Sequence, residues 1–235
     1  MSNIRLFFSE SLSLNLTAKL DKSQSHYVSK VMRIKKSEVF SLFNSSGEWE
    51  AIILDISKNI VEFNVTKQLR QKENSKELWL AFSPIKSNYF NFMIQKATEL
   101  GVTKFLPIIF DRTIVRKVNK ERLEKVIIEA TEQSNRINIP TIDEPQSLDS
   151  FLNNNKTDLI FTDLNTTNKK IDLNQLTSNP TCIIIGPEGD FSEIERKLII
   201  DLKQTHSISL AKNILRAETA ALSAITIVNY HLNLS

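Results

Sequence analysis

Along the first seventy or so residues, apolar and polar positions alternate with the period of a β-strand. Residues 59–69 show it most plainly: Val61, Phe63 and Val65 alternate with Ile60, Glu62, Asn64 and Thr66, the pattern of a strand with one buried face. Residues 4–8, 38–43 and 48–56 read as three further strands. Asn44-Ser45-Ser46-Gly47 and Ser57-Lys58-Asn59 supply the turn chemistry between them, and a helical stretch at 23–32 lies between the first two. Short antiparallel strands with one helix predict a small β-barrel, which leaves no open sheet edge.

A polar stretch at 70–76 breaks this rhythm and reads as a linker, dividing the chain into 1–72 and 73–235. Beyond it, short apolar runs at 78–82, 104–109, 158–162, 181–185 and 207–210 alternate with helical patterns at 89–100, 120–134, 193–203 and 217–231. Alternating strand and helix predicts a parallel sheet covered on both faces. The Asn-rich positions 153–155 and the run 165–178 read as surface loops.

Composition adds exclusions. The chain has 235 residues, 41% of them hydrophobic, with a net charge of +3, which suits a globular protein with a substantial core. Its one cysteine, Cys182, excludes an internal disulfide and a cysteine-built metal cluster, and points to a reducing compartment; within an apolar run it reads as a small buried hydrophobe. No stretch is apolar enough for a membrane span, and the apolar part of 1–8 is too short for a secretory signal, so a cytoplasmic location is expected. The charge is uneven: residues 1–72 carry 11 Lys and Arg against 7 Asp and Glu, residues 73–235 carry 19 against 20. Within the basic part, His26 and Tyr27 precede Lys30, Arg33, Lys35 and Lys36, a mixture suited to phosphate contact and base stacking. The same stretch also reads as an amphipathic helix with Val28, Val31 and Met32 turned inward and its charges solvated, and both readings can hold for opposite faces.

Two of the four glycines, Gly186 and Gly189, stand three apart directly after the apolar run 181–185. Glycine is required where backbone turns with positive φ or approaches a ligand closely. The segment therefore reads as strand, tight loop and helix, with Ser192 and Glu195 forming a capping box, and predicts a ligand loop at the carboxyl end of a strand. A second segment, 210–220, sets Arg216, Glu218 and Thr219 at the start of the last apolar helix, where they either serve a site or complement the helix terminus. Segments 95–102, closed by Gly101 as a helix cap, and 129–136, ending in polar groups and Arg136, gain interest only from this company. No P-loop or G-x-G-x-x-G sequence occurs, which excludes the usual phosphate cradle and the common dinucleotide loop. His26, His206 and His231 lack partners at metal-ligand spacing, so no metal site is expected, and no G-x-S-x-G elbow supports serine hydrolysis.

In order, these segments resemble the small-subunit (16S) ribosomal RNA uracil N3-methyltransferase family, a branch of the SPOUT or α/β-knot methyltransferases. The marks are His26 with Val31-Met32-Arg33, the segment 95–102, Glu132-Gln133-Ser134 with Arg136, Ile185-Gly186-Pro187-Glu188-Gly189, and 214–220. The resemblance implies a PUA-like β-barrel over 1–72 that binds RNA. It implies a trefoil-knotted α/β domain over 73–235 that holds S-adenosyl-L-methionine in a bent pose, in a homodimer with the active site near the subunit interface. Carried over, Thr162, Gly186, Pro187, Glu188, Gly189, Leu210, Leu215, Arg216 and Thr219 would bind the cofactor, and His26, Lys30, Arg33, Lys35 and Lys86 the RNA. Arg216, with Arg136 as a second cation, would act on the uracil, and Glu218 would either take its proton or hold Arg216 in place. The expected partner is small-subunit RNA or the 30S subunit, with no metal and no membrane. Another RNA substrate and a non-catalytic ribosome-assembly role are the alternatives. The chain departs from the family pattern at Asp190, Ser37 and Ala211, where glycine is usual, at Asn213, and at Asn88 and Tyr89, where a basic residue is expected. Asp tolerates positive φ better than most residues, so the loop survives its substitution.

Overall fold

The computed structural model describes residues 4–72, 76–166, 176 and 180–233. The chain divides into two units, Met1–Asn74 with Thr131–Ile139, and Ser75–Ala130 with Pro140–Ser235.

In the first unit, β1 (Arg5–Phe7), β2 (Thr17–Lys19), β3 (Val39–Asn44), β4 (Gly47–Ser57) and β5 (Ile60–Arg70) form a sheet in the order β1-β3-β4-β5-β2. Val61, Phe63 and Val65 are buried, as their alternation predicts. The sheet is mixed rather than wholly antiparallel, because β1 pairs parallel with β3. The chain leaves β1, forms β2 at the far edge and returns through a helix, so β3 enters running the same way as β1. Register shifts between Glu48/Trp49, Glu50/Ala51 and Ile53/Asp55 interrupt the β4–β5 ladder. Such bulges bend long strands, here over a core that includes Phe8, Phe40, Leu42, Ile53 and Phe63.

The helix is α1 (Lys22–His26), capped by Asp21, whose carboxylate accepts from the Gln24 N–H at 2.8 Å. It runs into a π-helical turn, Tyr27–Val31, in which the Met32 N–H donates to the Tyr27 carbonyl at 2.9 Å, and ends at Arg33 with φ 57°. The wider turn moves later residues off the face that an α-helical period assigns them. Val28 is buried as expected, but Val31 and Met32 are 57% and 44% exposed, which corrects the inward placement read from the sequence.

Residues 131–139 are tied into this unit by two arginines. Arg5 donates to the carbonyls of Thr131 (3.0 Å), Glu132 (3.3 Å) and Arg136, and Arg70 to that of Asn135 (2.9 Å). Buried Glu48 pairs with both. Cations belong here, since the last carbonyls of a helix lack intrahelical donors and carry its negative end. Burial lowers the Arg5 pKa, and Glu48 opposes that shift.

In the second unit, β6 (Leu78–Phe82), β7 (Lys104–Ile109), β8 (Thr141–Ile142), β10 (Asp158–Thr162), β11 (Thr181–Ile185) and β12 (Thr205–Ile208) run in the order β12-β10-β11-β6-β7-β8, with β9 (Gln146–Ser147) also on β7. Every pairing is parallel, as the strand–helix alternation predicts. Only the last long strand is displaced, starting at Thr205 rather than Ser207, because an edge strand needs no continuous apolar run. The helices are α2 (Ser87–Glu99), α3 (Lys120–Gln133), which crosses the division between the units, α4 (Leu148–Asn154), α5 (Glu193–Ile200) and α6 (Ala217–Asn233). Cys182 and Ile184 of β11 join Phe151 of α4 and Ile199 of α5 in one core. Ile183 and Ile185 alternate to the other face, where α6 packs on β11 and on α2. Of the polar stretch 70–76, Arg70 ends β5 and 73–75 lie outside the described residues, as does most of the loop 165–178. Strand order turns back on itself at the β6–β11 pair, and in open parallel sheets the crevice at the carboxyl ends beside such a reversal is where ligands bind.

Candidate active site

A cavity of about 790 Å³ opens at those carboxyl ends, lined by the loops that follow β10, β11 and β12. Of the expected cofactor residues, Thr162, Gly186, Pro187, Glu188, Gly189, Leu210, Leu215 and Arg216 line it. Thr219 does not; it is exposed, and Ala217 and Ala220 present the lining face of α6 instead. Ile185, Ile208 and Phe191 supply apolar wall.

The loop after β11 turns differently from the sequence expectation. Neither Gly186 nor Gly189 has positive φ; the left-handed position is Asp190, at φ 63°. Gly186 is required by packing, because a Cβ there would lie 2.6 Å from Cε2 of Phe191. Asp190 closes the turn: its N–H donates to the Pro187 carbonyl at 3.0 Å, and its carboxylate accepts from the Phe191 N–H at 2.8 Å. The predicted capping box is present, with Ser192 and Glu195 bonded reciprocally. Glu195 also accepts from the Asp111 N–H (2.7 Å), and Arg112 donates to the Gly189 carbonyl (2.7 Å), so the chain after β7 braces this loop from outside.

The loop after β10 is held as firmly. Thr162 donates its hydroxyl to the Ile184 carbonyl at 2.9 Å, and the Asp163 N–H donates to the Ile208 carbonyl at 3.0 Å. The buried Asp163 carboxylate accepts from the Asn165 N–H (2.9 Å) and from the guanidinium of Arg196. Arg196 also approaches Asp190 at 3.5 Å. Sequence reading missed Arg196; its one signal was a basic residue beside the capping Glu195 on the helix that follows the glycine loop.

At the cavity rim, the Arg216 guanidinium lies 5.5 Å from the centroid of the Tyr89 ring, a cation–π distance. Arg216 makes no ion pair with Glu218 among the described residues, and Glu218 does not line the cavity. The side chain that meets Arg216 here is Tyr89, which the sequence marked only as a departure from a basic residue. Lys86, grouped with the RNA-binding residues, is on this rim. His26, Lys30, Arg33 and Lys35 are exposed on the first unit, near exposed Tyr27 and Met32. Arg136 belongs to the first unit and does not line the cavity; burial lowers its pKa to about 10, which leaves it charged at neutral pH.

Comparison with known proteins agrees with this architecture. Residues 72–229 match the RNA methyltransferase domain family and residues 20–66 the RNA methyltransferase PUA domain. The chain is 37% identical to ribosomal RNA small subunit methyltransferase E of Rickettsia conorii, over 94% of this chain and 93% of that one. It is 31% identical to the protein of the same name from Buchnera aphidicola of Schizaphis graminum, over 94% of each. A crystal structure of ribosomal RNA small subunit methyltransferase E from Neisseria gonorrhoeae bound to S-adenosyl methionine superposes with a TM-score of 0.88 at 26% identity, covering 97% of this chain and 98% of that one. A methyltransferase from Legionella pneumophila in complex with the same cofactor gives 0.85 at 28% identity, covering 98% of each. The fold is therefore the expected one, an α/β-knot (SPOUT) methyltransferase domain preceded by a PUA-like domain, and the chain belongs to the ribosomal RNA small subunit methyltransferase E family of RNA methyltransferases.

Proposed function

We propose that this protein transfers a methyl group from S-adenosylmethionine to N3 of a uridine in small-subunit ribosomal RNA. The observation that carries the reading is the cavity at the carboxyl ends of β10, β11 and β12, with Arg216 stacked on Tyr89 at its rim. Its volume of about 790 Å³ falls in the range of cofactor pockets. Apolar Ile185, Ile208, Leu215 and Ala220 suit a flat base, and the lightly substituted turn at Gly186 and Gly189 lets backbone polar groups approach a ribose or an amino-acid tail. When bound there, S-adenosylmethionine supplies an electrophilic methyl group.

The protein's own task is to place N3 in line and to make its lone pair available. Alignment of this kind is worth roughly 7–11 kcal/mol of barrier. Loss of the N3 proton spreads negative charge over O2 and O4 of the uracil, and a fixed arginine beside those oxygens stabilises it. The contact with the Tyr89 face, which restricts the guanidinium without neutralising it, supports Arg216 in that role. Arginine cannot act as the base. Glu188 lines the cavity and Glu218 does not, which supports Glu188 as the acceptor of the proton.

Residues 1–72 act as the RNA-binding domain, through His26, Lys30, Arg33 and Lys35, with Lys86 guiding the RNA at the cavity rim, and residues 73–235 act as the catalytic domain. Exposed Ile194 and Leu198 on α5 and Ile214, 84% exposed, beside the cavity support a homodimer in which these side chains are covered and Arg136 of a second copy can serve as the further cation. No helix among the described residues is long and apolar enough to cross a membrane; a substrate in ribosomal RNA implies work in the cytoplasm. The test is transfer of labelled methyl groups to small ribosomal subunits. Arg216→Ala is expected to lose about 10²–10³-fold in turnover while still binding cofactor, and near-normal turnover would refute its role.

A further inference from the structure

Arg196 is not a lining residue of the cavity, yet it touches the loops that form it. It is 8% exposed and donates to the buried carboxylate of Asp163, in the loop after β10. A second guanidinium nitrogen reaches the Asp190 carboxylate, in the loop after β11, at 3.5 Å. With its amide oxygen turned inward, the Asn165 side chain accepts from both guanidinium nitrogens, at 2.8 and 2.9 Å. The third loop is joined through Asp163, whose N–H donates to Ile208 at the end of β12. Asp163, Asp190 and Ile208 all line the cavity. One planar cation on α5 therefore bridges two of the cavity loops, one of which is itself bonded to the end of β12.

Resting on the cofactor reading above, we propose that Arg196 is a positioning residue that holds the cavity loops in the cofactor-binding arrangement, and that Asp190 is an acidic partner of this clamp. An arginine suits the task because its rigid fork serves several acceptors at once, whereas a lysine is a single point of charge. Loops fixed beforehand need not be ordered when ligand arrives, so the effect is on cofactor affinity. Asp190 adds what a glycine at the same φ cannot, a carboxylate that bonds the Phe191 N–H on one side and meets Arg196 on the other.

The experiment is calorimetric titration of the full chain with S-adenosylmethionine, paired with steady-state methylation of small ribosomal subunits. Arg196→Met is expected to raise both the Kd and the KM for S-adenosylmethionine about tenfold or more, with kcat at saturating cofactor and the KM for the ribosomal substrate within about twofold of the parent. Arg196→Lys recovers part of the loss. Asp190→Gly, whose backbone tolerates the turn, raises the Kd less, and adding it to Arg196→Lys gives less than the product of the two effects. Should Arg196→Met fail to fold, the Arg196→Lys and Asp190→Gly pair carries the same test. A folded Arg196→Met or Arg196→Lys protein that binds S-adenosylmethionine within twofold of the parent overturns the proposal alone. A parent chain that does not bind S-adenosylmethionine overturns the cofactor reading, and the proposal with it.

Discussion

The Cα of Gly186 faces the edge of the Phe191 ring so closely that an added Cβ would lie 2.6 Å from Cε2 and 2.8 Å from Cζ. Phe191 cannot retreat easily: it is 4% exposed and meets Phe110 and Phe161 edge-on at centroid distances of 5.2 and 5.0 Å. Gly186→Ala therefore overpacks a closed aromatic cluster and is expected to cost about 1–3 kcal/mol, seen as a melting temperature lower by roughly 3–10 °C. At Gly189 the nearest atom to an added Cβ is Cβ of Arg112 at 3.4 Å, at the edge of ordinary contact. Gly189→Ala should melt within about 2 °C of the parent. Equal losses at the two glycines would contradict this account of the loop.

Much of this architecture is legible in the sequence, and the reasons are local. The runs at 78–82 and 181–185 are dense in apolar residues and become β6 and β11 at those bounds, since a strand buried on both faces needs nothing else. Ser192 and Glu195 announce the start of α5 because a capping box is a three-residue relationship. What depends on chain path is not legible. The parallel pairing of β1 with β3 follows from the excursion to β2, which is only three residues long. Val31 and Met32 are exposed because a π-helical turn changes the period without a sequence signature. Arg196 and Asp163 are 33 positions apart, and Tyr89 meets Arg216 only because α2 and α6 pack together. No spacing rule joins such pairs.

The RNA-binding reading of the first unit makes an electrostatic prediction. Lys30, Arg33 and Lys35 are exposed on the surface that also presents Tyr27 and Met32. Replacing the three by Gln should weaken RNA binding at all sequences and lower the slope of log K against log salt by about 2, at roughly 0.7 per lost single-strand phosphate contact. Filter binding over a salt series reads both quantities. An unchanged slope would remove these cations from the RNA interface.

Cys182 gives a chemical test of the second unit. Burial in β11 pushes its thiol up from 9.0 to about 12, because the thiolate is desolvated there. The folded protein should be inert to a thiol reagent at pH 8, and should yield one reactive thiol when unfolded in guanidinium. The raised folded value also fixes a sign: the contribution to stability is fully present below pH 9.0 and is lost as pH rises toward about 12. The stability advantage of the parent over Cys182→Ala should therefore shrink above pH 9. An advantage that grows there would contradict the burial.

The identity of the methylated atom separates transfer to uridine N3 from every other methylation. Small ribosomal subunits from cells lacking this activity would be incubated with S-adenosylmethionine and either the parent chain or Arg216→Ala, and the RNA digested to nucleosides for mass spectrometry. The parent is expected to form N3-methyluridine in the small-subunit RNA, and Arg216→Ala to form it about 10²–10³-fold more slowly. Methylation at another atom or in another RNA alone, or none despite bound cofactor, would contradict the proposed function.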